Sequence, residues 1–210
     1  MARVPRQKRA KETVNAIIEA SFIAMAEHGP AATTTRQIAD IAGVGVGSLY
    51  EYFDNKEQIF EVMSERFVAD TIGLIHPLTP ILVRKPIKDA VRELLQQFRD
   101  FLQQNDGRYL KCARHAMTLG FEAHMEPLQK ALQELVTQYL MHHPETLKMR
   151  NIPTMSYIMI NGGIFAVVRH LSEPAPPISF DELVEGLATM VGHYTEREIA
   201  LASSQDVQSG

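Results

Sequence analysis

Along nearly the whole chain apolar residues recur every three or four positions, the period of a helix with one buried face, and no stretch alternates apolar and polar residues for the length of a strand. In residues 13–27 the recurring set is Val14, Ile17, Ile18, Phe22 and Met25, and Gly29-Pro30 marks the stop. The threonines Thr33, Thr34 and Thr35 offer a cap for a short second helix, residues 36–42, with Ile38, Ala39 and Ala42 inward. Gly43-Val44-Gly45-Val46-Gly47 then packs three glycines into five residues, which predicts a tight turn feeding another short helix over residues 48–53. Asp54 or Asn55 can cap a fourth helix carrying Ile59, Phe60, Met63 and Phe67 toward His76, where Pro77 and Pro80 are expected to interrupt it.

Beyond Pro86 the periodic stretches lengthen. Ile87, Val91, Leu94, Leu95, Phe98, Phe101 and Leu102 form a stripe that ends near Asn105-Asp106-Gly107. Residues 109–121 and 128–140 predict two more helices, parted near Glu126-Pro127 and followed by a break at Pro144. Residues 157–171 are uncharged until Arg169, as in a helix buried on most sides. After the linker Glu173-Pro174-Ala175-Pro176-Pro177, a last helix capped by Ser179 carries Leu183, Leu187, Met190, Val191 and Tyr194, and a polar tail is expected from Ser203. The predicted fold class is all-α.

Two short helices joined by a glycine-containing turn, after a longer helix, make a helix-turn-helix, whose second short helix enters the major groove of DNA. Gly43 stands where the chain must reverse, a place for positive φ that glycine adopts without steric cost. Ile38, Ile41, Val44 and Leu49 are spaced to form the small core that sets the angle between the helices. Gly45, Val46, Gly47 and Ser48 then stand at the N-terminal end of the reading helix, where backbone can approach base edges.

Composition changes this picture little, but charge adds to it. With 210 residues, 45 % hydrophobic and 22 % charged, the chain is ordinary globular material. A single cysteine, Cys112, excludes an internal disulfide and a cysteine-rich zinc site, and fits a reducing cytoplasm. Glu12, Asn15, Glu19 and Glu27 break up the apolar stretch that a signal peptide needs. No uncharged apolar run approaches the roughly 18–20 residues of a bilayer span, so a cytoplasmic protein without a membrane segment is expected. The formal net charge of −4 hides an asymmetry: Arg3, Arg6, Lys8, Arg9 and Lys11 put five cations in the first eleven residues, leaving −9 for the rest.

In its first third the chain resembles the tetracycline-repressor (TetR) family of transcriptional regulators, across residues 11–67. The resemblance is carried by Ile17, Ala20 and Gly29, then by Thr34-Thr35-Arg36-Gln37-Ile38-Ala39, Ala42-Gly43-Val44, Gly47-Ser48-Leu49-Tyr50, Phe53 and Asn55-Lys56-Glu57. It implies a basic arm (residues 1–10), a DNA-binding domain (11–75, helix-turn-helix about 34–53), an effector-binding and dimerisation domain (76–202) and a flexible tail (203–210). It also implies roles by position. Thr35 and Arg36 match positions that touch phosphate. Gly45, Val46, Gly47 and Ser48 match the base-facing edge, Tyr50 and Tyr52 lie against the sugar-phosphate backbone, and Lys56 matches a phosphate anchor. Glycines at 45 and 47 depart from a polar reading surface and raise the share of backbone and DNA-shape readout.

For the second half the resemblance is one of architecture and implies a larger helical domain that binds a small molecule and pairs two copies. Residues 157–171 and 180–201 are the natural elements for a homodimeric four-helix interface. Seven of the ten methionines lie between residues 117 and 190, and methionine lines permissive apolar cavities as well as ordinary cores. Met117, Phe121, Met159 and Phe165 are therefore candidates for contact with a lipophilic or aromatic effector. Arg114, His115, Glu122 and His124 form a polar cluster, but nine residues between the histidines is not a helix-face ligand spacing, so neither metal nor cofactor is expected. Cys112 without a second cysteine reads as an inert buried thiol. No nucleophile elbow, phosphate loop or paired-carboxylate motif is present, so no catalytic residue is assigned. The function expected is a regulator released from a palindromic double-stranded DNA operator by a small molecule; a regulator of the same fold answering to a protein partner, or acting as an activator, is the alternative.

Overall fold

The computed structural model describes the backbone of residues 4–115 and 121–208, and the side chains of residues 8–115 and 123–204. Among them are eight α-helices and no strand: α1 (Val4–Ala32), α2 (Thr35–Ala42), α3 (Val46–Tyr50), α4 (Lys56–Leu82), α5 (Ile87–Ala113), α6 (Glu126–His142), α7 (Ile152–Ser172) and α8 (Phe180–Gln208), with short 3-10 turns at Phe121–His124 and Pro144–Lys148.

Several boundaries move from their expected places. α1 starts at Val4, so Lys8, Arg9 and Lys11 stand on its first turns and not on an irregular arm. Pro5 falls in the first turn, where an amide proton has no helical acceptor to lose. Gly29, at φ 73° and ψ 167°, breaks α1 where Gly29-Pro30 predicts, and one more turn follows. α4 continues through Pro77 and Pro80 to Leu82. The reason is burial: Ile75, Thr79, Leu82 and Val83 are all buried, and this packing offsets the lost amide donors. α5 is broken at Asn105, Asp106 and Gly107, whose φ values of 50°, 58° and 68° are left-handed, as the three residue types best suited to that region predict. α5 resumes after this break, so the helix expected separately over residues 109–121 is its last part and ends at Ala113, while α8 persists through Gln208.

The described residues form two compact units, Met1–Val68 with Leu102–His124, and Ala69–Phe101 with Met125–Gly210. In the first, Phe22 of α1 meets Tyr109 edge-on at 4.9 Å between ring centroids, and Phe67 of α4 meets the same ring at 5.4 Å. Arg108 pairs with Glu19 at 2.9 Å, and the Cys112 thiol donates to the Phe22 carbonyl at 3.5 Å. The end of α5 is thus bound to α1 by aromatic, ionic and hydrogen-bond contacts.

In the second unit Leu82, Val83, Ala90 and Tyr139 form a core with Leu78, Ile87, Leu94 and Leu135 around it. The Tyr139 hydroxyl donates to the Lys85 carbonyl at 3.0 Å, which satisfies a polar group that burial would otherwise strand. α8 lays Val184, Ala188 and Gly192 inward. A Cβ at Gly192 would stand 3.2 Å from the Lys88 side chain, so this glycine permits a close approach to α5, and Arg92–Glu185 and Arg99–Asp181 pairs border it.

α7 corrects an expectation. At 21 residues it is long and apolar enough to cross a membrane by length and composition. Its nearly uncharged surface is not buried on most sides within the chain either: Tyr157, Ile158 and Phe165 are 69 %, 52 % and 54 % exposed, while Ser156 and Val167 are buried.

Candidate nucleic-acid interface

The site is built on a small core. Ile38 and Ala39 on α2, Leu49 on α3 and Phe53 after it are all buried, with α2 packed on α1 and α3 on α2. Ile41, expected in this core, is 40 % exposed. With Ile38 and Ala39 inward on a two-turn helix, position 41 falls on the outer flank, and Val44 is half-buried in the turn.

Thr34 is the cap of α2. Its hydroxyl accepts from the Gln37 amide at 3.2 Å, and the Gln37 side chain accepts from the Thr34 amide at 2.8 Å, a complete capping box. Thr33 is buried and donates through its hydroxyl to the Gly29 carbonyl at 2.7 Å, closing the end of α1. Thr35 points elsewhere, with its hydroxyl 3.1 Å from that of Tyr50. At the other end of α2, Gly43 adopts φ 68° and ψ 28°, the left-handed cap the sequence predicts, and its amide donates to the carbonyls of Ala39 and Asp40.

α3 is one turn and a little more, and Gly45 precedes it in an extended conformation without a side-chain cap. Gly45, Gly47 and Ser48 are exposed and Val46 is half-buried. A Cβ at Gly47 would meet nothing within 4 Å. Arg36 is exposed, as are Tyr50 at 50 % and Tyr52 at 36 %. These are large aromatic surfaces for a protein to leave open, and each carries a hydroxyl. Lys56 differs from the others: it is half-buried, its ammonium donates to the Pro30 carbonyl at 3.1 Å, and it lies 5.7 Å above the Phe60 ring. The sequence offered no sign of this tie between α4 and the end of α1, because a carbonyl acceptor has no residue type. Asn55 caps α4, accepting from the Gln58 amide at 2.8 Å.

Helix-turn-helix geometry, a left-handed glycine cap and an exposed face of glycine, serine, arginine and tyrosine now stand together in one unit. Residues 17–63 match the family described as bacterial regulatory proteins, tetR family. That segment belongs to the TetR family. Among curated relatives, the HTH-type transcriptional repressor KstR2 of Rhodococcus jostii is 40 % identical over 57 residues, 27 % of this chain and 28 % of that protein. The first relatives matched are each covered over less than a third of their length. Solved TetR-type structures extend the likeness of fold over most of the chain. A TetR-family regulator from Mesorhizobium loti aligns with a TM-score of 0.65 at 18 % identity, covering 92 % of this chain and 98 % of that one. The fatty acid degradation regulator FadR from Bacillus halodurans aligns with a TM-score of 0.63 at 16 % identity, covering 84 % and 96 %.

Of the four effector candidates, the side chains of two are described. Met117 lies outside the described residues, and of Phe121 only the backbone is described. Met159 is half-buried on α7, whereas Phe165, six residues later and so about 120° around the helix, lies on its exposed face. In the polar cluster, the His115 ring packs 3.6 Å from where a Cβ of Gly29 would stand, and the Glu122 side chain is outside the described residues. Burial pushes the pKa of Cys112 up to about 12, which keeps the thiol neutral and unreactive.

Proposed function

We propose that the chain is a cytoplasmic, homodimeric repressor that binds a palindromic double-stranded DNA operator through α2 and α3 and leaves it when a small lipophilic or aromatic effector occupies the second half. The observation that carries DNA binding is the surface of α3. Gly47 is exposed and a Cβ there would have open space, so nothing in the protein's packing asks for a residue that weakens a helix by about 1 kcal/mol relative to alanine. A surface that must close on a groove does ask for it. Arg36, Ser48, Tyr50 and Tyr52 surround it with one cation and three hydroxyls suited to phosphate and base edges, and Lys8, Arg9 and Lys11 add charge at the start of α1. Lys56 keeps donors beyond the one used on Pro30 and serves the same phosphate backbone.

The exposed apolar face of α7, with Met190 and Leu201 exposed on α8, supports pairing of two copies as a four-helix interface. A dimer then sets two reading helices in successive major grooves, about 34–36 Å apart. The methionines between residues 117 and 190 support an adaptable apolar site, and the bond from Gln129 Nε2 to Asn161 Oδ1 at 2.8 Å gives the contact between α6 and α7 a polar pair able to orient a headgroup. Effector binding favours a dimer geometry with the wrong spacing and releases DNA by population shift.

Anisotropy titrations test this with duplexes carrying one half-site, two inverted half-sites, and the same pair moved apart by half a helical turn. Tight binding to the correctly spaced pair alone is expected. Equal affinity for one and two half-sites would reject the dimeric reading.

A further inference from the structure

Thr35 opens α2 and Tyr50 closes α3, and their hydroxyls lie 3.1 Å apart. Capping of α2 does not use the Thr35 hydroxyl, since Thr34 and Gln37 complete the box between them. Two hydroxyls own two protons, and the bond between them uses one. Among the described residues the second proton has no protein acceptor, and it sits on a half-exposed edge of the helix-turn-helix.

The identity of the free proton follows from acidity. A phenol, with a pKa near ~10, is a far better donor to an anion than an aliphatic alcohol, so the favoured arrangement has Thr35 donating to the Tyr50 oxygen and Tyr50 donating outward. A hydroxyl that already accepts a bond is polarised into a stronger donor, which makes the chain cooperative. We propose that Thr35 and Tyr50 act as one donor, with Thr35 as the positioning residue that holds and polarises the Tyr50 hydroxyl for a single phosphate oxygen of the bound DNA. The inference rests on the reading of α2 and α3 as the DNA-contacting face, and it replaces two separate backbone contacts with one.

The test is a double-mutant cycle on duplex DNA that the wild-type dimer selects, using Thr35→Val, Tyr50→Phe, the double variant, and Thr35→Ser as a rescue. Removing one bond to a charged group lowers affinity by roughly 10- to 100-fold. Tyr50→Phe and the double variant are expected to lose the same amount, Thr35→Val to lose no more than either, and Thr35→Ser to restore wild-type affinity. The same cycle is run on the urea midpoint of the free protein. Losses that multiply in the double variant, or coupling seen in stability and not in DNA affinity, overturn the proposal alone. A wild-type protein that selects no duplex at any salt concentration overturns the DNA reading, and the proposal with it.

Discussion

A methyl group at position 47 would enter open space, so Gly47→Ala separates what the fold wants from what a bound groove wants. The substitution is expected to raise the stability of the free protein by about 1 kcal/mol, by helix propensity, and to weaken DNA binding at least tenfold. Thermal unfolding and a DNA titration on one preparation check both signs, and unchanged affinity would place Gly47 away from the groove. Arg36 and Lys56 make a second contrast. Arg36→Ala should lower affinity and reduce the log–log salt slope by roughly 0.9 without lowering the melting temperature, because the side chain is exposed. Lys56→Ala should lower both, because it also removes the bond to Pro30 and the contact over Phe60. At Cys112 the prediction concerns pH. Its pKa is raised from 9.0 to about 12, so the neutral thiol is favoured by folding; that stability is fully present below pH 9 and is lost as pH rises from about 9 to about 12. Alkaline unfolding of Cys112→Ala should be correspondingly less steep, and thiol reagents at pH 8 should modify the wild type only once it unfolds. The threonines show how far such detail is legible. Thr33, Thr34 and Thr35 are one symbol three times, and a cap was predictable among them, yet only the backbone path decides that Thr33 is buried, Thr34 caps and Thr35 reaches Tyr50.

At the scale of elements, periodicity and turn residues carried most of the fold. The caps at Thr34, Gly43 and Asn55 and the breaks at Gly29 and Asn105-Gly107 fall where residue types with local preferences stand. Failures came where distant packing overrode a local rule. Pro77 and Pro80 are helix breakers by local rule, but Leu82 and Val83 are buried against Ala90 and Tyr139, and no local signal announces those partners. α7 is the other case. An uncharged helix predicts burial on most sides, and within the chain Tyr157, Ile158 and Phe165 stay exposed on one face. Ser156 and Val167 are buried on the other, and Asn161 bonds Gln129 of α6, so the helix has a protein-facing side and an exposed apolar side. Phe165→Glu is expected to shift the sedimentation of the chain from dimer to monomer at micromolar concentration while leaving its helical circular dichroism unchanged. A dimer that survives the change would remove α7 from the interface.

At the scale of the molecule, the residues expected to touch DNA lie in the unit that also holds residues 102–124, the stretch carrying Arg108, Tyr109, Cys112 and His115. The family resemblance assigns that stretch to the second domain; its contacts with Glu19, Phe22 and Gly29 are long-range and leave no periodic trace in the sequence. The helix-turn-helix was legible because the same few residue types must recur at fixed spacing to make the turn and its core. An effector site would leave no such mark, because an apolar cavity and an apolar core draw on the same side chains. The central claim, that this is a sequence-specific DNA-binding dimer, is tested most directly by selection of genomic duplex fragments on the purified protein across a range of salt concentrations. Enrichment of fragments sharing an inverted repeat with half-sites about one helical turn apart is the predicted result. Retention of no fragment at low salt, or of all fragments equally with no shared repeat, would contradict it.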